Sequence, residues 1–77
     1  MQITKLNKMK FKVEYDGKVC YARFKVVENG EFLAVQLYDY EWFGKQINKD
    51  CIHIGHRLVG RNNLIEDAVR KYEEVLV

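Results

Sequence analysis

Residues 8–37, KMKFKVEYDGKVCYARFKVVENGEFLAVQL, alternate apolar and polar side chains and are interrupted at Asp16-Gly17 and Asn29-Gly30. Both dipeptides suit the type I′ turn, whose two central residues need positive φ and whose twist matches the flanking strands. The stretch therefore reads as a three-stranded antiparallel meander. In its first strand Met9, Phe11, Val13 and Tyr15 share one side, and Lys8, Lys10, Lys12 and Glu14 the other. A two-residue turn at Asp16-Gly17 sets Val13 opposite Cys20, Phe11 opposite Ala22 and Met9 opposite Phe24. The second turn sets Val26 opposite Leu33, Phe24 opposite Val35 and Ala22 opposite Leu37. One face is then apolar throughout, and a slip of one residue at either turn would destroy that agreement.

Further along, residues 40–50 (YEWFGKQINKD) read as a bulged continuation of the third strand or as a loop holding a short strand, with a bend at Gly44. Cys51 to Ile54 form a short β-like run. Asn63 precedes Leu64-Ile65-Glu66 in the pattern of a helix N-terminus. From there Leu64, Ile65, Ala68, Val69, Tyr72, Val75 and Leu76 make one apolar stripe. Glu66 with Arg70 and Asp67 with Lys71 are favourably ordered pairs on the other side. The expected fold class is α+β: a three-stranded antiparallel meander, with a fourth short strand allowed, and one C-terminal amphipathic helix packed on one face. The expected inner face is Phe11, Val13, Cys20, Ala22, Phe24, Val26, Leu33, Val35 and Leu37, covered by Ala68, Val69, Tyr72 and Leu76.

At 77 residues the chain reads as a single domain, 1–77, with a small core. Its 48% hydrophobic and 31% charged residues are a globular balance, and no apolar run approaches the ~18 residues that span a bilayer. The opening MQITKLNKMKFK lacks the apolar stretch of a signal peptide, so the expected location is the cytoplasm, without membrane association. Cys20 and Cys51 fit reduced core residues in that setting. Thr4 is the sole aliphatic hydroxyl in a serine-free chain, which removes serine catalysis.

The net charge is only +2, but its distribution is uneven. Residues 1–25 hold seven Lys and Arg against Glu14 and Asp16, whereas residues 26–50 hold Lys45 and Lys49 against five acids. The register sets Lys10 opposite Arg23 and Lys8 opposite Lys25 on the outer face, with Lys12, Tyr21 and Tyr38 beside them. Facing like charges oppose folding by roughly a few tenths of a kcal/mol per pair. An anionic ligand relieves that, and basic side chains interleaved with tyrosines suit a phosphate backbone and its bases. Lys8, Lys10, Lys12, Tyr21, Arg23, Lys25 and Tyr38 are accordingly the candidate nucleic-acid contacts. The competing reading is that this first strand is a sheet edge, where lysines prevent aggregation.

Asp39, Tyr40, Glu41, Trp42 and Phe43 combine acids and large aromatics in an irregular stretch, the composition of a protein-binding hot spot. Gly55-His-Arg-Leu-Val-Gly60-Arg61-Asn62 has the glycine spacing of a phosphate loop, but Arg61 and Asn62 replace its Lys and Ser/Thr. What remains is an anion site of His56, Arg57 and Arg61 at the helix start. Cys51, His53 and His56 do not make a metal set, because His56 has the opposite strand parity. No catalytic residues, metal or cofactor are expected, and the chain reads as a monomer or weak homodimer.

The order of elements resembles the sheet-plus-C-terminal-helix DNA-binding domains of the plant and integrase-arm type, which place an exposed sheet face in a groove. The resemblance is of architecture: the arginine and tryptophan signatures of those domains are not matched and no residue is carried over. The short, proline-free, Lys/Tyr-rich chain also resembles accessory proteins of phages and mobile elements, which act on host factors. Two functions are expected from these features. The first is a non-enzymatic binding module for nucleic-acid phosphates. The alternative is a protein-binding inhibitor or adaptor that uses segment 38–43.

Overall fold

The computed structural model describes residues 1–47 and 51–76, without the side chains of Glu28, Trp42, Ile47 and residues 73–76. Its elements are β1 (Gln2–Lys5), β2 (Lys10–Tyr15), β3 (Lys18–Val27), β4 (Phe32–Trp42), β5 (Lys45–Ile47), β6 (Cys51–His56) and α1 (Arg61–Leu76). Strands β1 to β4 follow one another across an antiparallel sheet. β5 and β6 lie in line along the far edge of β4, opposite Tyr40–Trp42 and Phe32–Leu37. The class is α+β, with more strands than the three or four expected.

The meander register is as read. Lys10 faces Arg23, Phe11 faces Ala22, Val13 faces Cys20 and Tyr15 faces Lys18. Across the next pair Ala22 faces Leu37, Phe24 faces Val35 and Val26 faces Leu33. Asp16 and Gly17 adopt φ of 43° and 75°, and Asn29 and Gly30 57° and 83°, the left-handed pairs the turns require.

Four details differ from expectation, each for a local reason. β1 pairs with β2, so the lysine-bearing strand is internal to the sheet. Its only apolar residue, Ile3, is too little signal for a strand to be read there. Met9 is exposed because Asn7 Oδ1 accepts from the Met9 and Lys10 amides (2.8 and 2.9 Å), which turns the chain before β2 starts. Lys8 therefore leaves the ladder and does not face Lys25. Val26 keeps its register but is 68% exposed. It lies one row past Phe24, over whose ring sits Arg61, the first residue of α1, so the helix ends short of it.

The helix itself begins two residues earlier than Asn63. Gly60, with φ 96° and ψ 144°, precedes it, its carbonyl accepts from the Leu64 amide (3.0 Å), and Asn63 Nδ2 donates to the Val59 carbonyl (2.9 Å).

Beyond Leu37 the sheet carries a bulge. Tyr21 faces Tyr38 and Val19 faces Glu41, so Cys20 opposes both Asp39 and Tyr40. Asp39 absorbs the extra residue at φ 50°. The insertion reverses the alternation and turns Tyr40 inward, where it is fully buried, stacks on Tyr72 (centroids 4.7 Å apart) and hydrogen-bonds with the Tyr15 hydroxyl. Phe43 and Gly44, at φ 50° and 79°, then form a further hairpin turn into β5. Residues 40–47 thus hold both a bulged continuation of β4 and a short strand, and residues 48–50 of the expected segment lie outside the described residues.

The core lies between one sheet face and α1, which packs against β4 and β6. Every expected inner-face residue except Val26 is buried, as are Ala68, Val69 and Tyr72, with Tyr40, Leu64 and Ile65 added. Leu76 falls outside the described side chains. No helix among the described residues is long and apolar enough to cross a membrane.

Candidate nucleic-acid interface

Since α1 covers one face only, the other face of the sheet is open, and strand parity decides what it carries. Across it run aligned rows of side chains. One is Thr4, Lys12, Tyr21 and Tyr38; the next is Lys10, Arg23, Gln36 and Ile52; a third is Lys25, Ala34 and Ile54. These three rows contain four cations and no acid. The acids of this face, Glu14 and Glu41, stand one row away beside Val19.

Tyr21 and Tyr38 lie side by side with centroids 5.9 Å apart, and the cations sit above them. Lys10 Nζ is 4.8 Å from the Tyr21 centroid and 5.8 Å from that of Tyr38, while Arg23 Cζ is 4.2 Å from the Tyr38 centroid. Each such contact contributes about 0.5–1 kcal/mol at an exposed site, enough to offset the repulsion between facing cations. The tyrosines therefore hold the charges in place and have their ring faces covered. With cations set over them, Tyr21 and Tyr38 do not present the open stacking platform expected of them.

Lys12 lies 3.8 Å from Glu14, the one ion pair among the described residues. At that separation and exposure it contributes little to stability. Lys25 is exposed in the third row. Lys8 is set apart in the β1–β2 turn, where its carbonyl accepts from Arg61 Nη1 (3.0 Å). Of the seven candidate contacts, six are thus brought onto one open face.

The anion site does not assemble. His56 is on the outer face, edge-on to Phe32 (5.5 Å), and its Nδ1 accepts from the Leu58 amide (3.2 Å). Arg61 lies on the opposite, helix-covered face beside Phe24 and the Lys8 carbonyl. Arg57 is exposed in the 3₁₀ turn between β6 and α1. Gly55 is inside β6, so its spacing to Gly60 makes no phosphate loop.

The aromatic segment is divided too. Asp39, Glu41 and Phe43 are exposed, Tyr40 is core, and the Trp42 side chain lies outside the described residues. Tyr40 is withdrawn from the surface set for that reason.

Cys20 and Cys51 are free thiols. Burial pushes Cys20 up from an ordinary 9.0 to about 12. Burial also raises Cys51, against the opposing charge of Lys71. Neither is primed as a nucleophile. No group of three or more His, Cys, Asp or Glu able to hold a metal occurs among the described residues.

Ile52 and Ile54 were not legible as part of this face from sequence. Their alternation with Cys51 and His53 was visible, but no short turn ties β6 to a partner strand, so its facing was open. No protein family, curated protein or solved structure matches the chain.

Proposed function

We propose that the chain is a non-enzymatic binding module whose open sheet face contacts nucleic-acid phosphates through Lys10, Lys12, Arg23 and Lys25. The observation that carries this reading is the Lys10–Arg23 pair, set over Tyr21 and Tyr38. Because β1 covers β2, edge protection does not explain cations there. Tyrosines that hold two like charges together, on the face with no helix, preserve a fixed positive patch. Phosphate contacts made by such a patch release counterions and weaken steeply with salt. Titration of labelled DNA or RNA across a salt series tests the reading: binding at low salt that falls as salt rises is expected, and absence of binding at low salt ends it.

A second reading is favoured by Phe43, which is 71% exposed although its φ is 50°. A bulky residue in the left-handed region is unusual and costs of order 1–3 kcal/mol, which selection tolerates most readily at an interaction site. With Asp39 and Glu41 exposed nearby, this hairpin tip fits a protein partner, as for an adaptor or inhibitor.

A further inference from the structure

Two rows of the open face run from cation to isoleucine. In one, Arg23 is followed by Gln36 and Ile52; in the other, Lys25 is followed by Ala34 and Ile54. Ile52 and Ile54 are 58% and 57% exposed, and Phe32 lies one row further on. Two inter-strand steps separate Arg23 from Ile52, about 10 Å. A positive band and an apolar band therefore lie side by side on the open face.

A duplex meets the first band but offers little to the second, because its base faces are hidden in the stack. A single strand presents both charge along its backbone and unstacked bases whose faces prefer apolar or aromatic cover. Resting on the phosphate-binding reading above, we infer that the occupant of this face is single-stranded nucleic acid, with phosphates on the β2–β3 side and bases over Ile52 and Ile54. A second copy of the chain is a poorer match. Stacking two such faces would set the four cations of one copy against those of the other, with two acids on the face, Glu14 and Glu41, to offset them.

The test uses the full chain, a labelled single-stranded DNA of mixed sequence, the same DNA annealed to its complement, and the corresponding RNA strand. Ile52→Thr/Ile54→Thr keeps β-branching at two exposed positions, so the fold is retained, and circular dichroism verifies this. The expected result is tighter binding of the single strands than of the duplex. The double variant should lose roughly tenfold for single strands, the scale of losing one base contact, with little change for duplex. Ile54→Tyr should instead tighten single-strand binding. Equal affinity for both forms, unaffected by the isoleucine changes, would overturn the single-strand inference while leaving the phosphate reading in place. No binding of either form overturns both. Sedimentation showing a dimer that the isoleucine changes dissociate would assign the face to self-association and overturn the inference.

Discussion

Gly55 illustrates how much of this fold rests on single side chains. A Cβ at that position would overlap the side chain of Leu64, which is itself buried between α1 and the sheet. The missing methyl sets how closely the helix approaches β6. Gly55→Ala should therefore lower stability by about 1–3 kcal/mol, the cost of overpacking. Combining it with Leu64→Val should cost less than the sum of the two single changes, read from urea unfolding midpoints.

Cys20 makes a second residue-scale claim. Its thiol stays protonated in the folded chain up to about pH 12, whereas in the unfolded chain it ionises near 9.0. Between those values the unfolded state holds fewer protons, so stability is unaffected below about pH 9 and falls as pH rises toward 12, by about 1.4 kcal/mol per unit at most. Cys20→Ala should be less stable at neutral pH but show a shallower alkaline decline. Parallel declines in the two proteins would contradict the burial argument.

At the scale of elements, legibility followed local chain logic. The β2–β3–β4 register was readable because two short turns fix it and a one-residue error would have buried charges. β1 and the facing of β6 were not, since β1 has one apolar residue and a turn without glycine, and β6 is not joined to β4 by a tight turn. Asp39 hid a bulge because aspartate tolerates positive φ without announcing it as glycine does, and the parity reversal it causes is what sent Tyr40 to the core. The β4–β5 hairpin was half visible in Gly44; Phe43 is an improbable partner for it.

That hairpin also bears the second functional reading. The Phe43 ring lies against Gly17 of the neighbouring turn, and its amide donates to the Gly17 carbonyl (3.1 Å). Phe43→Asn keeps a residue that accepts φ near 50°. If the ring is there for a partner, the variant should hold or gain stability, within about 1 kcal/mol, in urea unfolding. A clear loss would make the ring a clamp between two hairpin tips and end that reading.

The whole molecule is a sheet with unlike faces. One is closed by α1 over a core that runs from Phe11 and Phe24 to Tyr40 and Tyr72. The other is open, with cations gathered on β2 and β3, acids one row away and isoleucines on β6. The candidate site was legible in sequence as far as the meander register reached, which placed Lys10 opposite Arg23. The tyrosine contacts that hold those cations became apparent only in three dimensions, as did the covered edge that removes the competing explanation.

The most direct test is the double variant Lys10→Gln/Arg23→Gln, measured for both stability and salt-dependent binding of single-stranded DNA. Relief of repulsion and loss of the tyrosine contacts oppose each other, so stability should change by less than about 1 kcal/mol. Binding should weaken, and the slope of log affinity against log salt should fall by roughly 1.4 to 1.8, the value for two lost phosphate contacts with the low end applying to single strands. An unchanged slope with unchanged affinity would contradict the account.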